Sequence, residues 1–438
     1  MSPHKRSCRL LVAVSKIAFD KGTKMTTLIH AGTLLATPGQ EPLRKQTIAI
    51  EKGRIVSVTD QFVSPRRDDE LIDLANYFVL PGLIDCHVHL TGELGPRHKL
   101  DLVEESPSAI ALHAAHHARV TLEAGFTTVR DLGEIGGAGD AIFTLRAAVA
   151  KGFVPGPRIF AAGSIISPTG GHGISCGYRD DINLLLDSSG RSDGADGCRK
   201  AVRRQVSRGA DFIKFVATGG VLTDTATGTG QQFFEDEYDA IVATAHMLGR
   251  KTTAHAHGAD GMKAALKAGV DAIEHGTFMD AEVMEMMLGR GVFYVPTTLA
   301  GVTVAEIAKT QDYMPAAIRE KALAVGPNIV ETLRRGHKAG LKIAFGTDTA
   351  VSPHGENARE FVLMVEAGMT PMQAIVAATV TAAEHIGQAK HLGSIEPGKA
   401  ADIVATLASP VNDVTELQRV KFVMRDGIIF KSPQSKPN

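Results

Sequence analysis

Six residues of this chain have the types and spacings needed to hold metal ions and activate water: His87, His89, Lys214, His255, His275 and Asp348. In Asp85-Cys86-His87-Val88-His89 two imidazoles stand two positions apart. On a strand, residues i and i+2 share a face, so one metal ion can take both rings. A lone histidine is more often a core or surface residue than a ligand, and His275 or Asp348 alone would say little. What gives them weight is that all six fall on expected strands, five of them where strand runs into loop.

Lys214 is the most informative of the six. Its neighbours Phe212, Ile213, Phe215 and Val216 make a strand buried on both faces, where a bare ammonium is costly. Beside two dications a third cation would be repelled strongly. If carbon dioxide adds to the neutral amine, the product is a carbamate with one negative charge and two oxygens, each able to bind one metal. Burial near cations favours the neutral amine and therefore this addition.

These residues must be positioned by a repeating element. Seven times an amphipathic helix ends in glycine and a short apolar strand follows, at Gly125, Gly152, Gly209, Gly249, Gly269, Gly291 and Gly340. Glycine fits the left-handed position that ends a helix. With the initial strand Leu83–His89 this gives eight strands alternating with helices, the count of a (β/α)8 barrel. Barrels of that kind place their chemistry at the carboxyl ends of the strands. A doubly wound open sheet would need a glycine-rich phosphate turn after an early strand, and the sequence has none. Residues 26–80 and 398–431 instead read as short antiparallel strands. The expected organisation is an α/β chain with an N-terminal tail over 1–25. A small β-sandwich is built from both termini (26–80 and 398–431), and a metal-dependent hydrolase barrel spans 81–397.

Bulk properties agree with a soluble enzyme. The chain has 438 residues, 44% hydrophobic and 22% charged, with 47 Lys plus Arg against 48 Asp plus Glu. That balance gives no electrostatic reason to expect nucleic acid or an anionic membrane as partner. The four cysteines (Cys8, Cys86, Cys176 and Cys198) show no CxxC spacing. They are too few to staple a chain this long, which points to a reducing, cytoplasmic setting. The run Leu10–Val14 after His4-Lys5-Arg6 imitates a signal peptide but lacks a clean cleavage site. A tail, or a start at Met25, is expected rather than export.

The motifs together resemble the amidohydrolase superfamily. They are the run Pro81–His89, the isolated Lys214, His255-Ala256-His257-Gly258, Glu274-His275-Gly276-Thr277, Gly346-Thr347-Asp348 and the closing Gly393–Asp402. The match runs from about Thr27 to Ile429. Within the superfamily the chain is similar to the imidazolonepropionase-related branch, which holds Xaa-Pro dipeptidases, similar carboxypeptidases and ochratoxin-hydrolysing amidohydrolases.

The resemblance implies two Zn2+ or similar divalent ions. His87, His89 and Asp348 would hold the more buried one and His255 and His275 the second, with carboxylated Lys214 between them. It also implies that His257 faces the substrate, with His172 of the Thr169–Gly173 loop as a further contact. Water activated by the metals would attack a linear amide and release a C-terminal amino acid. Asp348 would move the proton to the leaving nitrogen, and His257 or His172 would steady the oxyanion. N-acyl amino acids such as ochratoxin A fit this description. Tyr294 and His354 are further candidates for the pocket wall. The binding partner is a small-molecule amide, and a homo-oligomer, an octamer among the possible forms, is expected. Cyclic amides, lactones and phosphotriesters are the alternative substrates on the same barrel. A one-metal deaminase would not use Lys214 as a bridge, and a non-catalytic assembly protein would have lost donors that are all present here.

Overall fold

The computed structural model describes residues 26–133, 141–173, 178–186, 190–223 and 228–433. The expected N-terminal tail lies outside them. Strands are numbered in chain order. β1 (Thr27–Leu34), β2 (Leu43–Glu51), β3 (Arg54–Asp60) and β4 (Glu70–Pro81) come first. Next are β5 (Leu83–Val88), β6 (Phe126–Asp131), β7 (Arg158–Ala161), β8 (Ile213–Val216), β9 (Thr252–Ala256), β10 (Ala272–His275), β11 (Phe293–Val295) and β12 (Lys342–Ile343). β13 (Ile403–Thr406), β14 (Phe422–Arg425) and β15 (Ile428–Lys431) close the chain.

The terminal strands form one seven-stranded sheet in the order β15-β14-β13-β4-β1-β2-β3. The sandwich expected from the sequence is thus hydrogen-bonded as a single sheet. The reason lies in β4, which pairs with β1 on one side and with β13 on the other, joining the strands of both termini in one ladder. The tight hairpins β2–β3 and β14–β15 turn on Lys52-Gly53 and Asp426-Gly427, all four with positive φ. That is the two-residue turn whose twist suits a right-handed hairpin. The apolar residues of this sheet, among them Ile29, Ile48, Leu74, Ile403 and Phe422, enclose a core of their own.

The strands β5 to β12 are parallel. They form a three-stranded sheet, β5-β6-β7, and a five-stranded sheet, β12-β11-β10-β9-β8. All seven glycines expected to end helices have positive φ. Four of them (Gly209, Gly269, Gly291 and Gly340) cap helices in the left-handed conformation. Backbone hydrogen bonds also run between the edges of the two parallel sheets. Ile166 donates to the Lys214 carbonyl and Val216 to the Ile166 carbonyl at one edge. At the other, Cys86 donates to Phe345, Asp348 to His87 and His89 to Thr349. The strands of these sheets are almost wholly buried, as expected where helices cover parallel strands. Among the described residues no helix is long and apolar enough to cross a membrane.

Candidate metal centre and active site

The carboxyl ends of these strands open into one cavity of about 860 Å³, and all six expected donors line it, together with His172 and His257. The imidazoles are contiguous. His87 lies 5.4 Å from His89 and 5.0 Å from His275 between ring centroids, His275 lies 4.5 Å from His255, and His255 lies 4.2 Å from His172. Backbone strain collects at the same place. His275, Thr297 and Asp348 adopt φ of 68°, 50° and 57°, left-handed values that non-glycine residues hold only where surrounding contacts impose them.

Hydrogen-bond accounting fixes where the lone pairs point. The His89 Nδ1 lies 2.6 Å from the Gly133 carbonyl, which can only accept, so Nδ1 carries the proton. The His87 Nδ1 lies 2.8 Å from the Glu274 carboxylate. Thr297 Oγ1 donates to the Pro296 carbonyl and therefore accepts from His275 Nδ1. Each of these three rings thus leaves Nε2 as the atom turned to the cavity. The Nε2 atoms of His87 and His89 both stand 3.3 Å from Asp348 Oδ1. The Nε2 atoms of His87 and His255 are buried and have no hydrogen-bond partner. Converging atoms of this kind repel one another unless a proton or a metal cation lies between them. Ligands on a tetrahedral zinc ion sit about 3.3 Å apart, given bonds of about 2.0–2.1 Å. The His87, His89 and Asp348 group therefore fits a divalent metal, and its donor atoms lie within 4.8 Å of one another.

Electrostatics follow from burial. Burial drives His255 and His275 well below the ordinary imidazole value, and neighbouring histidines and Lys214 push in the same direction. Both are therefore neutral at pH 7. Burial likewise lowers His257 to about 4 and His172 to about 3. Lys214 is 2% exposed, and burial lowers its ammonium to about 8 against the opposing pull of Glu274 and Asp348. Burial opposes ionisation of Asp348, but His87 and His89 outweigh it and hold the carboxyl well below the carboxylate range.

Not every expected contact reaches the cavity. Tyr294 is fully buried, and its hydroxyl donates to the His275 carbonyl at 3.0 Å, beneath the histidine cluster. His354 lies at the rim, where its Nε2 meets the Gly92 carbonyl at 2.9 Å. His172 does line the cavity. Its Nδ1 is bonded to Thr223 Oγ1 and its backbone N–H to Gln232 Oε1.

Two charged residues were missed as part of the site. Glu274 is fully buried, and it receives Arg130 at 2.9 Å and the Thr253 hydroxyl as well as His87. Arg130 in turn contacts His385 Nε2 and covers the Phe212 ring. The signal was present in the sequence. Both are charges inside apolar strands, the same cue that singled out Lys214.

A model described as the amidohydrolase family matches residues 78–429, and the chain belongs to that family. Ochratoxinase from Aspergillus niger is 32% identical over 440 residues, which cover 94% of this chain and 88% of the relative. The solved structure of a Xaa-Pro dipeptidase with methionine bound in its active site is 41% identical, with a TM-score of 0.87 over 93% of this chain and 100% of that one. A prolidase complexed with N-methylphosphonate-L-proline is 31% identical, with a TM-score of 0.84 over 93% of this chain and 100% of that one.

Proposed function

We propose that this protein is a zinc-dependent amidohydrolase that cuts a linear amide and releases a C-terminal amino acid. The observation that carries the reading is the convergence of unpartnered imidazole nitrogens and one carboxylate on a single cavity. In this reading β5 to β12 close into one (β/α)8 barrel over residues 81–397, with residues 26–80 and 398–431 as the smaller domain. Hydrogen bonds between the sheet edges support the closure.

His87, His89 and Asp348 would hold one ion and His255 and His275 a second, with Lys214 between them as a carbamate. Bound there, divalent ions would polarise the scissile carbonyl and lower the pKa of a water molecule. The chain's own residues do the rest. Asp348 takes the proton of the attacking water on its carboxylate and returns it to the leaving nitrogen. His257 remains neutral at working pH, and with Nδ1 engaged by Thr277 it offers its other nitrogen to the substrate. His172, braced by Thr223 and Gln232, lines the cavity beside it.

The relatives suggest the leaving group, since one is a Xaa-Pro dipeptidase with methionine in its active site, one a prolidase complexed with a proline analogue and one an ochratoxinase. Dipeptides and N-acyl amino acids, ochratoxin A among them, are the substrates to try. The buried free thiols of Cys86 and Cys198 support a reducing, cytoplasmic setting. A homo-oligomer belongs to the same reading.

The test is a panel of dipeptides and N-acyl amino acids incubated with the zinc-loaded protein and read by released amino acid. A lactone and an aryl phosphotriester serve as comparison. Release from the amides at rates well above the comparison compounds is expected. Turnover of the lactone or phosphotriester with no amino acid released would overturn the assignment.

A further inference from the structure

Buried backbone carbonyls need a partner. In the loop after β8 two of them find it in a side chain from a distant helix. Lys321 Nζ donates to the Gly220 carbonyl at 3.1 Å and also to the Thr223 carbonyl. The base of this loop is held differently, by its own backbone. There the Gly219 N–H donates to the Gly230 carbonyl at 2.9 Å and the Gln232 N–H to the Ala217 carbonyl at 3.1 Å. The outer turn, Gly220–Thr223, is tied at both ends to Lys321.

We propose that Lys321 is a positioning residue for the active site, which seats His172 and sets an apolar subsite for one side chain of the substrate. The selectivity rests on the amide-hydrolase reading above, whereas the clamping of the loop does not.

His172 depends on both clamped residues. Its Nδ1 is bonded to Thr223 Oγ1, and its ring lies against Gly220, where a Cβ atom would overlap it. The same ring stands 4.2 Å from His255 between centroids. A shift of the Gly220–Thr223 turn therefore moves His172 relative to the donor cluster. Misplacement of a group in an active site by about 1 Å can cost about 10²-fold in rate.

Between the clamped ends stand Val221 and Leu222, and both line the cavity. Val304 of the helix Thr298–Thr310 lines it too, with Val325 and Ile329 of the helix Ala316–Ala339. Val221, Val304 and Val325 belong to one apolar cluster, and Leu222 packs against it. Lys321, Val325 and Ile329 follow at four-residue steps, so one helix face supplies both the clamp and part of the wall. Apolar surface left to water is unfavourable, and an apolar side chain gains by covering it. The subsite therefore takes an aliphatic or aromatic side chain of the substrate and disfavours a charged one. Lys321 fixes this wall through the loop carbonyls, from behind it.

Full-length, metal-loaded wild type is compared with Lys321→Met, which keeps an apolar stem and removes the donors, and with Lys321→Arg, which keeps donors for both carbonyls. Amide exchange over residues 217–223, followed without substrate, should quicken in Lys321→Met and stay near wild type in Lys321→Arg. Unchanged exchange in Lys321→Met would overturn the clamp, whether or not the protein hydrolyses amides. Turnover is then measured on pairs of amides that differ by glycine against leucine, one pair in the released residue and one in the acyl residue. Wild type should prefer the leucine member of one pair by about tenfold or more in kcat/KM, the usual worth of an apolar pocket. Lys321→Met should lose most of that preference and Lys321→Arg should keep it. A preference absent from wild type, or unchanged in Lys321→Met, would overturn the subsite. Gly220→Ala leaves the clamp in place and displaces His172, so kcat should fall with the preference kept. An unchanged kcat there would overturn the seating of His172. If Lys321→Met does not fold, Lys321→Gln replaces it in both measurements. A wild-type protein that releases no amino acid from any amide would sink the hydrolase reading and the selectivity with it, while exchange still decides the clamp.

Discussion

Glu274 Oε2 lies 2.8 Å from His87 Nδ1, and both side chains are sealed from solvent. The carboxylate thereby sets the tautomer of a ring whose other nitrogen faces the candidate metal position, while its second oxygen neutralises Arg130 at 2.9 Å. Partners of this kind typically contribute 10- to 100-fold to metal affinity. Glu274→Gln should weaken metal retention by about that factor, read by competition with a chelator. It should also lower unfolding free energy by about 3 kcal/mol, because the Arg130 guanidinium stays buried with its counter-charge gone. Normal retention in the variant would show that His87 is oriented without Glu274.

Lys214→Ala should remove nearly all turnover and at least one metal ion per chain, with partial recovery on adding a small carboxylate such as formate. Metal content measured per chain, with and without the additive, is the readout. A variant with full metal content and normal turnover would refute the carbamate.

Asp348→Asn keeps the shape of the side chain and removes its capacity to carry a proton. A fall in kcat of about 10²- to 10⁴-fold is expected, the usual worth of a positioned general base, with KM changed far less. Steady-state kinetics at constant metal loading decide it, and an unchanged kcat would take Asp348 out of the proton transfer.

The pH dependence of stability can be worked out for His354. Its folded value of about 3 lies below the ordinary 6.5 because burial disfavours the charged ring. The unfolded chain therefore binds more protons than the native one between these values. Stability from this group is complete above about pH 6.5 and is lost as pH falls towards about 3, by at most about 1.4 kcal/mol per pH unit. Denaturant unfolding at pH 7 and pH 5, with chelator present, should show wild type losing about 2 kcal/mol more than His354→Asn. Equal losses would contradict this origin of the acid sensitivity.

Much of this was legible in the sequence because it rests on local rules. The seven helix-ending glycines announced their left-handed conformation, and each of the eight expected strands is present. His87, His89, Lys214, His255, His275 and Asp348 share one cavity because strand ends were readable from apolar runs. What the sequence hid is set by contacts between distant segments. Tyr294 sits on a strand that ends at the site, yet its hydroxyl is spent on the His275 carbonyl, a partner fixed only by strand pairing. The single terminal sheet depends on β4 bridging strands from opposite ends of the chain, which no local pattern encodes. Lys321 meets Gly220 and Thr223 only because a helix and a distant loop converge.

The hydrogen bonds between the edges of β5 and the segment after β12 have a consequence for biosynthesis. Thr347 Oγ1 donates to Asp85 Oδ2 at 2.7 Å across 262 residues of sequence, and His87 and Asp348 flank that contact. A chain emerging from the ribosome holds His87 and His89 early, but their carboxylate partner arrives only after most of the chain has been made. Contacts of such wide separation form late, after the loop between them has been closed. The inner donor set is thus assembled last, and a truncated nascent chain carries histidines with nothing to complete them. The cavity is therefore complete only once the chain has been made past Asp348.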